Sequence, residues 1–228
     1  MAENPKAAQP TVETESHMPA AAVNESAGLD RIKFFSDAVF AIAITLLILN
    51  VALPSGTKQS NLAHELNSVW PEYGAFAFTF LLIGLRWLTH LLQFRYIRDY
   101  DITLLSLNLA LLFVVAFLPF ASRVLADYPN SRPACILYAA SMAVAGLIST
   151  ALWYHVCHKP SLIDPGLDSY TRKNFLLRWA TVPAFFGIAI FLVILVPDLW
   201  WARAVAFATL LAQIAIALHA KRTGHPII

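Results

Sequence analysis

Ser36 and Asp37 open the apolar run Arg31 to Leu53, RIKFFSDAVFAIAITLLILNVAL, and Thr45 stands among its branched aliphatics. His90 and Asn108 lie inside two later apolar runs. A charged group inside a bilayer-spanning helix costs roughly 2.5–3.5 kcal/mol on insertion scales, so it is retained for conduction, coupling or assembly. Residues of these types can do two kinds of chemistry. An acid and an imidazole can pass protons, and hydroxyl, amide and carboxylate groups can tie helices together beside an ion path. Asp37 is therefore the first residue to explain.

Helical geometry sorts the residues of this run. At about 100° per residue, Ala38, Ile42, Thr45 and Leu49 share one stripe, while Asp37 points roughly 140° away from Ile42. The stripe and the acid face different surroundings. If the stripe lines a pore, symmetry copies of Ile42, Thr45 and Leu49 form two aliphatic rings and one hydroxyl ring. The same stripe also fits packing against another helix of the bundle, and periodicity alone leaves both readings open.

The polar residues form a second group. The first run leaves the cytoplasm and the second returns to it, so Asp37 and His90 lie at similar depth. Trp87 shares a face with His90, and Asn108, about two turns into the third run, reaches the same layer. A cluster of Ser36, Asp37, Trp87, His90 and Asn108 is expected near the cytoplasmic mouth, where low dielectric makes each hydrogen bond matter. Ser36 and Asp37 also suit capping of the exposed amides in a first helical turn.

Six apolar runs must position these groups: Phe34 to Leu53, Trp70 to Leu92, Ile102 to Leu125, Pro133 to Cys157, Asn174 to Val196, and Leu199 to His219. Each is near the roughly 20 residues that span a bilayer. The composition agrees: 58% of 228 residues are hydrophobic and 13% charged, against about a quarter charged in soluble domains. Mean hydropathy is +0.62. Arg31 and Lys33, Arg95 and Arg98, Lys159, Arg172 and Lys173, and Lys221 and Arg222 mark alternate ends of the runs, which places them and both termini in the cytoplasm. Arg123 and Arg132 fall on the other side, with Asp127 between them. Residues 1–30, rich in Ala, Pro, Glu and Ser, read as a disordered cytoplasmic tail, 31–220 as one six-helix domain, and 221–228 as a short cytoplasmic end.

Several function classes fall away. The net charge of +2 is small and divided among the connections, which describes topology and not a nucleic-acid surface. Cys135 and Cys157 lie within apolar runs and make neither a disulfide framework nor a zinc site. His155, Cys157 and His158 are suitable metal or haem ligands by type, but they share one helix end with no facing partner, so no cofactor and no metal is expected. An enzyme needs a nucleophile or an acid/base pair with an orienting group, and only Asp37 with His90 qualifies. No enzyme is expected. The runs show no internal repeat of the kind many transporters carry, while Ala139, Ala143 and Gly146 suit close helix packing.

These residues resemble a known family. Arg31-x-x-x-Phe35-Ser36-Asp37 followed by VFAIAITLLIL is similar to the signature of the transmembrane protein 175 potassium channel family. The likeness continues in His90-x-x-x-Phe94-Arg95, in Asp101-x-x-Leu104-x-x-Leu107-Asn108, and in FLPF at Phe117 to Phe120. It is strong over three runs and rests on length and hydropathy in the rest. It implies an all-α integral membrane channel without a TVGYG filter, a homotetramer with the first helix of each subunit lining the pore. It also implies a plasma-membrane location, potassium as the permeant ion beside other monovalent cations, and lipids as neighbours. Position for position, the constriction falls on Ile42, with Thr45 and Leu49 as further rings and Ala38 pore-lining. Arg31 and Phe35 join the polar cluster as members of the motif. The competing reading is a secondary transporter or proton-coupled membrane protein that uses Asp37 and His90.

Overall fold

The computed structural model describes residues 20–53, 59–196, and 204, 205, 207–209, 211, 212 and 215. Within them the chain is helical: α1 Ala20–Leu46, α2 Leu62–Ser68, α3 Trp70–Arg95, α4 Ile102–Asp127, α5 Arg132–His158 and α6 Ser169–Leu195. Short 3-10 turns, Leu47–Asn50 and Gln59–Asn61, follow α1 and precede α2. Five of these helical stretches are long and apolar enough to cross a membrane, running Ala27–Asn50, Glu72–Arg95, Ile102–Asp127, Arg132–His158 and Ser169–Leu195.

Local chemistry sets the starts. Asp101 caps α4, its carboxylate accepting from the Leu104 amide at 2.8 Å, and Asp168 caps α6 through the Thr171 amide at 3.0 Å. Each satisfies an amide that the helix itself leaves without an acceptor. Proline in the first turn of α5 occupies a position where a missing N–H costs nothing.

The main core gathers Phe40 and Ala43 of α1 and Leu47 of the turn after it with Ile83 of α3, Leu111, Val115 and Leu118 of α4, Met142 of α5 and Phe186 of α6. A second cluster closes the end that carries the α3–α4 and α5–α6 connections, built on Phe94, Leu104, Leu152, Trp153, Phe175 and Trp179. The two connections pair as backbone there. Ile97 bridges Ile163, the Arg98 amide donates to the Leu162 carbonyl at 2.9 Å and the Asp164 amide to the Tyr96 carbonyl at 2.9 Å. Arg98 adds an ion pair to Asp164 at 2.9 Å. Between α5 and α6, Gly146 lies beneath Pro183, where an added Cβ would come within 2.7 Å of the proline Cδ.

Runs two to five of the hydropathy reading recur as α3 to α6 with ends shifted by a few residues. The first run differs. Its helix begins at Ala20, inside the segment expected as a disordered tail, because this stretch opens on three alanines, the strongest helix formers, and has a packing partner. Leu29 is buried in the second cluster, and the Tyr100 ring lies directly against Gly28, where any Cβ would overlap it. The α-helix also stops at Leu46, short of the expected Leu53, and tightens into the 3-10 turn. The short helix α2 was not expected, and it buries none of its side chains. The sixth run, Leu199 to His219, and the segment 221–228 lie largely outside the described residues.

Candidate functional site: the outward stripe of α1 and its polar support

Two interleaved rows on α1 separate cleanly by environment. Ser36, Phe40, Ala43 and Leu47 are buried, each less than 2% exposed. Ala38, Ile42, Thr45 and Leu49 are all exposed, Ile42 at 58% and Leu49 at 68%. Both rows step by four, three and four residues, the spacing of one helix face. The 3-10 turn leaves Leu49 within about 40° of the stripe, since it adds only about 20° per residue over three residues. The expected stripe is therefore a real face of the subunit, one that its own bundle does not cover.

Thr45 gives this face its single hydroxyl. Its Oγ1 donates to the Ile42 carbonyl at 2.9 Å, so the proton is held within the helix and the oxygen lone pairs turn outward. An exposed ring of such oxygens offers acceptors to a cation or its water, and flanking aliphatic side chains offer nothing.

Behind the stripe, the polar residues join as two separate links. The Ser36 hydroxyl donates to the Ile32 carbonyl at 2.8 Å, so its oxygen must accept from Asn108 Nδ2, 3.0 Å away. That orientation turns Asn108 Oδ1 towards His90 Nε2 at 2.9 Å, and an amide oxygen only accepts. His90 therefore carries its proton on Nε2. Phe94 stacks on the imidazole with centroids 4.3 Å apart and Phe40 packs at 5.4 Å, which fixes the ring. The second link is Trp87 Nε1 donating to Asp37 Oδ1 at 2.8 Å.

Arg31 and Phe35, grouped with the cluster through their motif, are exposed, Phe35 at 57%. The structure does not bring them into either link. Ser36 and Asp37 do not cap a first turn, because α1 starts sixteen residues earlier in the chain, at Ala20. The acid also does not bond the imidazole directly; its recorded hydrogen bond is to the indole.

Other polar contacts escaped the sequence reading. Thr79 Oγ1 bonds Ser122 Oγ at 3.1 Å and the Tyr138 hydroxyl at 3.2 Å. Gln93 Nε2 donates to the Ser149 hydroxyl at 3.0 Å and carbonyl at 3.1 Å. Arg86 is buried as well. A signal was available: Thr79, Arg86, His90 and Gln93 recur at helical spacing along one face of α3. The residues raised as metal ligands take structural partners instead. His155 Nε2 faces Asp101 at 2.9 Å, and His158 Nδ1 donates to the Tyr154 carbonyl at 2.8 Å. Among the described residues no group of three or more His, Cys, Asp or Glu could hold a metal ion.

Asp101 is the electrostatic centre of the connection end. Partial burial pushes its carboxyl up, but Lys159 Nζ at 2.6 Å, the Leu104 amide and His155 outweigh that and hold it well below the usual carboxylate range. One carboxylate thus caps α4 and ties it to the end of α5.

Comparison with known proteins decides the family. The model of the family described as endosomal/lysosomal potassium channel TMEM175 matches residues 31–119. A potassium channel of Streptomyces collinus is 38% identical over 162 residues, covering 69% of this chain and 77% of that protein. The chain belongs to the TMEM175 family. A potassium channel of Chamaesiphon minutus is 31% identical over 72% of this chain and 84% of its own length. The crystal structure of a lysosomal potassium-selective channel TMEM175 homolog from the same organism superposes with a TM-score of 0.73 at 28% identity, covering 83% of this chain and 97% of that one. The TMEM175 match runs from Arg31 within α1 through most of α4, and so contains the whole stripe and both polar links. The Asp101 tie also begins within it, while α5 and α6 lie beyond.

Proposed function

We propose that this TMEM175-family chain is a potassium-permeable cation channel whose pore is lined by the α1 stripe of several subunits. The observation that carries the reading is the stripe itself: Ala38, Ile42, Thr45 and Leu49 are uncovered by the subunit while the opposite row of α1 is buried. A face with one hydroxyl between aliphatic side chains has a use when it meets its symmetry copies around a water-filled axis. One helix per chain cannot enclose such an axis, so several chains must surround it; the resemblance to the TMEM175 family implies four, a homotetramer in which each chain contributes six membrane-spanning helices. Both termini face the cytoplasm and the assembly sits in the plasma membrane, with lipids against its outer helices.

In this arrangement Ile42 forms the narrowest ring. Aliphatic side chains supply no replacement for an ion's hydration shell, so discrimination comes from pore width and dewetting. The Thr45 ring, with its lone pairs outward, lowers the cost of a cation between the Ile42 and Leu49 rings. Asp37 takes no part in the ion path. It holds Trp87, and the Ser36–Asn108–His90 link holds α1 against α3 and α4, so that the stripe keeps its facing.

The transporter or proton-coupled reading loses its relay. An indole N–H donates and cannot accept, so a proton wire from Asp37 through Trp87 ends there. The reading is tested by reconstituting the purified chain in liposomes or a planar bilayer. Passive current reversing near the potassium equilibrium potential supports the channel, and saturable uptake coupled to a second ion would overturn it.

A further inference from the structure

Arg86 is a guanidinium inside the membrane that the channel reading leaves unused. It lies on α3 nine residues before Arg95, about 14 Å along the axis from that helix end, and is 8% exposed. Arginine stays charged in proteins, and an isolated buried charge is among the costliest groups a fold can hold. Among the described residues no carboxylate pairs with it. Asp37, the acid nearest this depth, bonds the Trp87 indole and makes no ion pair with Arg86. The sequence after Asp198 contains no Asp or Glu, so the final run supplies no counter-charge either. Burial within its own subunit also denies a neighbouring subunit ready access.

Arg86 lines a pocket of about 30 Å³ between α3, α5, α6 and the segment carrying Thr209. Thr89 and Thr209 line it as well. Both are held in bonds to their own helices, Thr89 Oγ1 to the Arg86 carbonyl at 2.7 Å and Thr209 Oγ1 to the Val205 carbonyl at 3.0 Å. Those carbonyls belong to helical backbone, so turning either hydroxyl inward sacrifices only a secondary bond. The rest of the lining is apolar, including Met142 and Trp179. A water-sized particle needs roughly 10–15 Å³ of such space. The volume therefore admits a single-atom ion.

We propose that each subunit holds one monatomic anion of the halide class, chloride in a chloride medium, bound by Arg86 with Thr89 and Thr209 as hydroxyl donors. A water molecule fits the space but leaves the charge uncompensated in low dielectric. An anion cancels it at van der Waals range, and the site pins α3 to the segment carrying Thr209. The inference is independent of the pore assignment, because its readout is stability and ion occupancy and not flux.

The test uses the purified full chain in detergent at fixed potassium and ionic strength, exchanging gluconate for chloride or bromide. The expected result is a saturable rise in unfolding temperature of about 5 °C with halide, absent in Arg86→Met whichever way that variant's own stability moves. Bromide should give one anomalous-scattering peak per chain within hydrogen-bond distance of the Arg86 guanidinium. That crystallographic arm needs no variant to fold. No halide response in the native chain, a response that survives in Arg86→Met, or a cavity holding only water in a bromide crystal would each overturn the proposal.

Discussion

Removing the Asn108 side chain should unfasten α1 from its support, and the cost can be worked from three hydrogen bonds. In Asn108→Ala the Nε2–H of His90 loses its acceptor at 2.9 Å, and the ring is held between Phe94 and Phe40, so it cannot turn to another. A buried donor left unsatisfied costs about 1–3 kcal/mol. Ser36 loses the donor at 3.0 Å but keeps its own bond to the Ile32 carbonyl. That loss is nearer the ~0.6 kcal/mol average for hydrogen bonds between membrane helices. The sum is roughly 2–4 kcal/mol per subunit, a fall of about 5–15 °C in unfolding temperature for a chain of this size. Thermal unfolding read by size-exclusion measures it. The decisive comparison is His90→Phe with Asn108→Leu, which replaces both partners by apolar groups and should return to within about 1 kcal/mol of the native chain. If Asn108→Ala costs under about 0.5 kcal/mol, or the two single effects simply add in the double variant, the link does not support α1 and the reasoning fails.

Ile42→Asn should raise conductance and shift the reversal potential in mixed sodium and potassium towards zero discrimination, while Thr45→Ala moves it less; bilayer recording distinguishes them, and an unchanged reversal potential in Ile42→Asn removes that residue from the constriction. Asp101→Ala should cost about 0.5–2 kcal/mol as a lost helix cap. Because the folded carboxyl is held below its ordinary value, its stabilisation is fully present above about pH 4 and is lost as pH falls below that; the native-to-variant gap should shrink as unfolding scans are taken below about pH 4. Gly146→Ala should lower stability by about 1–3 kcal/mol through overlap with Pro183, against the usual gain of about 1 kcal/mol for that exchange inside a helix; a raised unfolding temperature would contradict the Gly146 contact.

Much of this architecture is written in hydropathy, because each spanning helix must be apolar over its length and the connections are short. That is why α3 to α6 follow the runs so closely. The stripe of α1 was legible for a related reason: a face defined by 3.6-residue spacing survives whatever partner meets it. Pairing was harder to read. Depth placed Asp37 and His90 together, but direction around the helix decided that Asp37 meets Trp87 and that His90 meets Asn108. Gly28 and Leu29 were grouped with a polar tail because their neighbour in space, Tyr100, is distant in sequence. Arg86 and Gln93 were passed over as single polar residues within an apolar run, although their spacing from Thr79 and His90 marked one buried face. The tie of Asp101 to His155 and Lys159 joins residues more than fifty positions apart, and no local pattern announces it.

The account rests on the outward row of α1 lining the pore, and cysteine accessibility tests this most directly. With Cys135 and Cys157 replaced by alanine, Ile42→Cys, Thr45→Cys and Leu49→Cys are compared with Ala43→Cys from the buried row, each reconstituted for potassium flux and exposed to a cationic methanethiosulfonate. The account predicts block at 42, 45 and 49 and none at 43. Flux that persists after labelling of all three stripe positions, or block at 43 equal to theirs, would contradict it.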